Sequence, residues 1–312
     1  MNMHILRLTV AALLIGLFSY GVSSAQTELL LSADESCISG SGSSFSTLYS
    51  VNPNNADALE IGPIGFSGVS GMAFLRDGRL VGSASADANG DRISILIEID
   101  PFTGQGSLIG TIGNNNLGGC GRVPDLTYDA ATDTLYGIGF RCVPGGDHGG
   151  ITELLRINQA TGEGTTIGQT GFFGGGNGLA IRRSGGTLFS SENLDFLTLN
   201  LLTGQGTLVA NHPLIEDVMS ALDFHPITGE LFGIEFGFGD PDNPTFLVTV
   251  DTSDAVITRI GELPVCSDAL VFFPLTPRNV PTISVWGMIS AAVGLALIGV
   301  FFAVRRRKAR AV

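Results

Sequence analysis

Three short sequence signatures recur in a fixed order along the chain, and this internal repetition constrains the fold more than any other feature. The first signature is a run of small residues that ends in a large apolar side chain. Its five copies span residues 70–74, 124–128, 177–181, 220–224 and 268–272. The second residues of successive copies are 54, 53, 43 and 48 residues apart. Such spacing predicts a structure built from supersecondary units of similar size.

The other two signatures describe strands and turns within each unit. The second signature begins with Leu and continues with small and apolar residues, at 80–83, 135–138, 188–191 and 231–234. The third is an apolar strand followed by a turn, and its regular copies read Asp/Asn-x-x-Thr-Gly from Asp100, Asn158 and Asn200. Degenerate copies start at Asn52 and Asp251. The Asp or Asn side chain accepts hydrogen bonds from the turn backbone, and Gly adopts the left-handed conformation.

Each unit therefore predicts four strands, a to d, with a tight turn between c and d, which is the pattern of a β-propeller blade. Four units are continuous, and the fifth is split between the two ends of the chain. Residues 268–273 supply its strand a, and residues 28–32, 47–52 and 58–62 supply strands b, c and d. We predict an all-β fold, a five-bladed β-propeller over residues 26–275, closed by N-terminal strands that pair with the C-terminal strand.

The a strands fit this architecture, because they line the axis of a propeller and their side chains alternate between two faces. The set predicted to face the axis is small: Gly71, Ala73, Asp125, Thr127, Gly178, Ala180, Ala221, Asp223, Ala269 and Val271. The other set is large and apolar and suits packing between blades: Met72, Phe74, Leu126, Tyr128, Leu179, Ile181, Leu222, Phe224, Leu270 and Phe272.

The two ends of the chain predict export and membrane insertion. Residues 1–25 combine a positive charge at Arg7, an apolar stretch too short to span a bilayer, and small residues before Gln26, which is typical of a cleaved signal peptide. An uncleaved anchor is the alternative. Residues 285–304 hold no charge and form a predicted helix that spans a hydrocarbon core of ~30 Å at ~1.5 Å per residue. The basic tail at 305–312 predicts a cytoplasmic end, with residues 26–275 across the membrane.

The linker 276–284 leads into the predicted transmembrane helix and carries most of a sorting motif. The motif residues are Val280, Pro281, Thr282, Ile283, Trp286 and Gly287. Residues 279–310 resemble the IPTL-CTERM protein-sorting domain, whose pattern is Ile-Pro-Thr-Leu-x-x-Trp-Gly; Val280 and Ile283 replace its Ile and Leu. The resemblance implies recognition by an exosortase-type membrane protease and transfer toward the outer envelope. An ordinary single-pass anchor is the alternative.

Four cysteines occupy matching places in two of the units. Cys120 precedes strand a of the second unit, and Cys142 follows its strand b. Cys266 precedes strand a of the split unit, and Cys37 follows its strand b. Because exported proteins commonly form disulfides, we predict the pairs Cys120–Cys142 and Cys37–Cys266. Other pairings and free thiols remain open.

Charge is distributed unevenly along the chain. All 29 acidic residues lie between Glu28 and Asp268, whereas only 10 of the 16 basic residues lie between Arg76 and Arg278. An exported domain this acidic disfavours binding to nucleic acid. Many of the acids are predicted at the face formed by the b–c and d–a connections: Asp34, Glu35, Asp87, Asp91, Asp147, Glu192, Glu235, Asp240 and Asp242.

This same face is the candidate binding surface, because its b–c connections are predicted to be long loops at 32–45, 85–92, 140–150 and 236–245. Asp87, Asn89 and Asp91 are spaced like the first ligands of a Ca²⁺ loop, but Arg92 stands where an EF-hand needs glycine. A loop-held Ca²⁺ and a solvated turn both remain open, and the same holds for residues 240–243.

Two classes of function remain. The favoured one is a surface-displayed binding or scaffold module for an unknown glycan, protein or cation. The alternative is a glycan-active hydrolase, an analogy with other five-bladed propellers that rests on the fold alone. It needs carboxylates that converge on the channel mouth, and Asp125, Asp223 and Asp268 are the candidates. Asp125 and Asp268 are predicted at strand starts, where Asp commonly caps turns, and this counts against catalysis.

Overall fold

The computed structural model describes residues 29–33, 45–88, 91–112, 122–141, 151–173, 177–212, 217–237, 244–264 and 266–273. These residues belong to the first of two compact units, Met1–Pro274. Every regular element within these ranges is a β-strand. No helix long and apolar enough to span a bilayer occurs among them. The predicted signal peptide, sorting motif, transmembrane helix and basic tail all lie outside the described residues.

Twenty strands form five antiparallel sheets of four strands each, which we call blades. Blade 5 comprises β1 (Leu29–Ala33), β2 (Thr47–Val51), β3 (Ala58–Pro63) and β20 (Ser267–Phe272). Blade 1 comprises β4 (Ser67–Phe74), β5 (Leu80–Ala88), β6 (Asp91–Ile99) and β7 (Gly106–Thr111). Blade 2 comprises β8 (Arg122–Asp129), β9 (Thr134–Arg141), β10 (Ile151–Ile157) and β11 (Gly164–Phe173). Blade 3 comprises β12 (Gly178–Ile181), β13 (Leu188–Glu192), β14 (Asp195–Leu199) and β15 (Gly206–Asn211). Blade 4 comprises β16 (Asp217–Phe224), β17 (Leu231–Gly237), β18 (Thr245–Val250) and β19 (Ile257–Leu263).

The sheets confirm the prediction of an all-β, five-bladed propeller. Strand a of each blade lies innermost, and these strands contact one another in the ring order β4, β8, β12, β16, β20. In blade 5, β1 pairs antiparallel with β20, with Leu29 opposite Phe272 and Leu31 opposite Leu270.

The c–d turns follow the mechanism expected from their sequence. The side chain of Asp100 accepts hydrogen bonds from the amides of Phe102 and Thr103, at 2.8 and 3.2 Å. Asn158 and Asn200 make the same pair of contacts in blades 2 and 3. These turns also join blades. A Cβ built on Gly110 of β7 would lie only 2.0 Å from the carbonyl oxygen of Thr161 in the next blade's turn, so the backbones pack closely there.

The hydrophobic core lies between blades rather than within one sheet. Met72 and Phe74 pack against blade 5, Leu126 packs against blade 1, and Leu222 and Phe224 pack against blade 3. All five side chains are buried. This confirms the prediction that the large residues of the a strands fill the contacts between blades.

One predicted loop is wrong. The b–c connection of blade 1 was expected over residues 85–92, yet β5 continues to Ala88 and β6 begins at Asp91. Asp87 pairs with Arg92 and Ala88 with Asp91 across the ladder. Only residues 89 and 90 separate the strands, and two-residue connections of Asn-Gly type favour hairpins because both residues tolerate positive φ.

Candidate functional site

The axis of the ring holds two of the three carboxylates proposed for hydrolysis. Asp125 lies inside β8 rather than at a strand start, which corrects the expectation from sequence. Its Oδ2 accepts hydrogen bonds from the amides of Leu179 in blade 3, at 2.7 Å, and Leu222 in blade 4, at 3.2 Å. Its Oδ1 accepts from the amide of Leu126, at 2.8 Å. One side chain therefore joins three blades.

Asp223 of β16 makes a similar connection further around the ring. Its Oδ2 accepts from the amide of Phe272 in blade 5, and its Oδ1 accepts from the amide of Phe224, both at 2.8 Å. Thr127 Oγ1 accepts from the amide of Ile181, at 3.2 Å. An innermost strand pairs with a neighbour along only one edge, so the amides on its other edge need such acceptors.

Small residues let these side chains reach the axis. A Cβ on Gly71 would lie 2.6 Å from the Cα of Asp125 and 2.7 Å from the amide nitrogen of Leu126. No larger residue fits there without a backbone shift, so Gly71 lets β4 approach β8 closely. The prediction that the small set faces the axis is wrong for five of its members, because they pack in the hydrophobic clusters between blades, on the opposite sheet face from the large set: Ala73, Ala180, Ala221, Ala269 and Val271.

Burial of the axial carboxyl groups opposes their ionisation, whereas the backbone amides that donate to them favour it. Burial raises the pKa of Asp125 well above its usual range, and the charge of Asp223 adds to this, while three backbone amides oppose it. Burial also raises the pKa of Asp223 to about 6, opposed mainly by the amide of Phe272 and by the charge of Arg183. Asp268, the third candidate, is half-buried in β20.

Two acids expected at the binding face are instead buried. Glu192 and Glu235 end or nearly end strand b in blades 3 and 4 and are 0% and 1% exposed. Glu235 pairs with Arg259 through two hydrogen bonds, including Nη2 to Oε1 at 3.0 Å. The guanidinium of Arg259 also lies over the ring of Phe246, 4.2 Å from its centroid. Sequence reasoning placed both acids at the surface because it assumed that the loop began earlier.

A buried serine–histidine pair was missed from the sequence. Nε2 of His212 lies 3.1 Å from Oγ of Ser191, and the ring packs on Phe196. Burial lowers the pKa of His212. The repeat offers the signal that could have found it, since His212 takes the place of Ile112 and Leu263, two buried apolar residues after the d-strand bulge.

Several predicted residues lie where nothing can be said of their side chains. The backbones of Asp87 and Asp91 belong to the blade 1 hairpin, whereas Asn89 lies outside the described residues. Cys37, Cys120 and Cys142 also lie outside the described residues. Cys266 is described, and it is buried directly before β20. Across the described ranges, no three His, Cys, Asp or Glu side chains cluster as a metal site would require.

Comparison with known proteins supports the fold and nothing finer. No protein-family model and no curated protein matches the chain. A thermostable family-43 glycoside hydrolase superposes with a TM-score of 0.51 at 13% identity, covering 72% of this chain and 86% of that one. A chain of a nidogen/laminin complex gives 0.49 at 11% identity, covering 79% and 98%. TolB from Acinetobacter baumannii gives 0.41 at 15% identity, covering 74% and 52%.

Proposed function

We propose that this protein is an exported, envelope-sorted β-propeller that acts as a surface binding or scaffold module. One observation carries the proposal. The carboxylates at the axis, where a propeller hydrolase would hold its catalytic acids, are occupied as acceptors for backbone amides of other blades. A carboxylate held in this way stabilises the ring and is a poor general acid or nucleophile, because reaction would remove an acceptor from buried amides. The unknown ligand is then a glycan or a protein.

Sorting of the protein to the outer envelope is part of the proposal. The sorting motif from Val280 to Gly287, the apolar segment 285–304 and the basic tail resemble an IPTL-CTERM domain, so an exosortase-type protease is the proposed processing partner. Trp286→Ala should retain the full-length precursor in the inner membrane, whereas the native chain should appear shortened in outer-envelope fractions. Thr276→Ala, outside the motif, is the control. Equal processing of all three chains would contradict the sorting proposal.

We propose that a Cys37–Cys266 disulfide secures the closure of the ring. Ala33 at the end of β1 pairs with Ser267, next to Cys266, and Cys37 follows only four residues later. Peptide mapping under non-reducing conditions should find these two cysteines joined, and Cys120 joined to Cys142. A map that joins Cys37 to either of the other two would contradict this pairing.

Glycan hydrolysis remains the second candidate, because the raised pKa values of Asp125 and Asp223 suit a general acid. Purified full-length protein should not turn over a panel of aryl glycosides under the first proposal. Turnover that Asp223→Asn and Asp268→Asn abolish would overturn it. Binding to a glycan array that survives both substitutions would support the binding module.

A further inference from the structure

Glu192 has an unusual position for a charged residue, because it is fully buried where blades 2 and 3 meet. We call this contact the 2/3 seam; here Glu192 of β13 meets Thr152 of β10 and Thr170 of β11. Oε2 of Glu192 accepts a hydrogen bond from Thr170 Oγ1 of β11, at 3.2 Å. Oε1 and the hydroxyl of Ser190 have no hydrogen-bond partner among the described residues. The hydroxyl of Thr152 lies near enough to the carboxyl of Glu192 to lower its pKa. Ser190 lies on the same face of β13 as Glu192, since side chains alternate along a strand.

The charged and titratable groups around Glu192 offer it no counter-ion among the described side chains. Asp195 of β14 is close enough to raise the pKa of Glu192, while Thr170 and Thr152 oppose this. On β10, the neighbouring Glu153 faces the other way and accepts from Thr166. On the far face of β13, Ser191 holds His212. With burial as the dominant cause, the pKa of Glu192 rises to about 7.

Protonation removes the buried charge and keeps the carboxyl hydrogen-bonded, since a threonine hydroxyl can donate to a carboxylate and accept from a carboxyl. A protonated carboxyl turns one oxygen into a donor, and the hydroxyl of Thr152 faces the same carboxyl and can accept. The ionised form keeps a negative charge buried between two blades, with no cation among the described side chains to balance it. The two protonation states therefore differ in how well they hold the seam.

We propose that Glu192 makes the 2/3 seam a proton-controlled joint of the ring, closed when its carboxyl is protonated and loosened when the carboxyl is ionised. The joint depends neither on the ligand nor on sorting, and it gives a conformational role to one carboxyl that the axis and the blade turns do not use.

The direction of the effect follows from linkage. The closed seam binds the proton more tightly than the open, hydrated seam, whose glutamate has an ordinary pKa near 4.5. Seam stability is therefore greatest below about pH 4.5, falls as pH rises from there to about 7, and is level above that. With these two pKa values, the opening equilibrium should rise about tenfold between pH 6 and pH 8.

Hydrogen exchange on the full-length protein tests the joint. After correction for intrinsic exchange rates, amides of β11 and β13 should lose about tenfold in protection between pH 6 and pH 8. The amides of β17 and β18 in blade 4 serve as the internal control and should change less. In Glu192→Gln, which keeps the shape but cannot ionise, the seam should stay protected at both values of pH.

Hydrogen exchange of the native chain at the two values of pH gives a test even if Glu192→Gln impairs folding. Equal loss of protection in every blade would overturn the proposal, because the opening would then be global. Protection of β11 and β13 that stays the same between pH 6 and pH 8 would also overturn it. A tenfold loss of protection that persists in Glu192→Gln would do so as well.

Discussion

Blades 3 and 4 each bury a glutamate at the same place, and they treat it in opposite ways. Glu192 lies across from Asp195 in blade 3, and Glu235 lies across from Phe246 in blade 4. On the outer strand, Leu208 of blade 3 takes the position that Arg259 holds in blade 4. Glu235 therefore has a bidentate counter-ion backed by an aromatic ring, whereas Glu192 has threonine hydroxyls and a nearby acid.

The difference shows that a repeat fixes where a side chain lies but not which charge state suits it. Two aligned positions distinguish the ion pair from the protonatable site: Asp195 and Phe246 on strand c, and Leu208 and Arg259 on strand d. Asp125 shows a third way to accommodate a buried acid, since its hydrogen-bond partners are backbone amides. Each solution predicts a different cost when it is broken.

The axial carboxylate should be the most costly to remove. Asp125→Ala leaves the amides of Leu126, Leu179 and Leu222 without their acceptor in a buried position. Each unsatisfied buried group costs about 1–3 kcal/mol, so we expect a loss of about 4 kcal/mol in the free energy of unfolding. Urea unfolding of the full-length protein measures it. Asp125→Asn, which retains one acceptor oxygen, is the control and should lose less; equal losses would refute the acceptor role.

Removing the arginine should turn the blade 4 site into a copy of the blade 3 site. Arg259→Leu leaves Glu235 buried without its counter-ion, which for a fully buried pair costs about 3–5 kcal/mol. Because the side chain of Arg259 is half exposed, we expect about 2–3 kcal/mol at pH 8. Urea unfolding of the full-length protein measures the loss, and a loss below about 1 kcal/mol would contradict the role of Arg259 as the counter-ion.

Adding an arginine should do the reverse in blade 3. Leu208→Arg places a cation where Arg259 lies in blade 4, close to Glu192 and Asp195. We expect a gain of about 1–2 kcal/mol at pH 8 in the free energy of unfolding, measured in urea, as the ionised carboxyl acquires a partner at a partly exposed position. Leu208→Gln has similar length without charge and should give no gain. In the Glu192→Gln background the gain should shrink to the part that Asp195 contributes, and a gain that persists in full would mean that the introduced guanidinium does not pair with Glu192.

The sequence sufficed for the blade count because the repeats record the same strands, turns and alternation five times. The turn at Asp100 could be predicted because it depends on residues next to one another in the sequence. The close approach of strands at Gly71 and Gly178 could be predicted because the same place in the repeat holds a small residue in most copies. The burial of Glu192 could not be predicted in this way. It depends on β13 extending one residue further than expected and on Thr170 of another blade. Asp125 illustrates the same limit, because its partners, Leu179 and Leu222, are 54 and 97 residues away.

His212 provides the smallest and most selective test of blade 3. It lies across β13 from Glu192 and is held neutral by burial, so its contribution to stability has the opposite pH dependence. Its lowered pKa means that the unfolded chain takes up a proton first as pH falls below about 6.5, which destabilises the fold. His212→Leu, which copies Leu263 of blade 4, should cost about 1 kcal/mol at pH 8 because Ser191 loses its partner. At pH 5 the cost should be smaller. Urea unfolding at both pH values measures this, and a larger cost at pH 5 would show that His212 is charged in the folded ring.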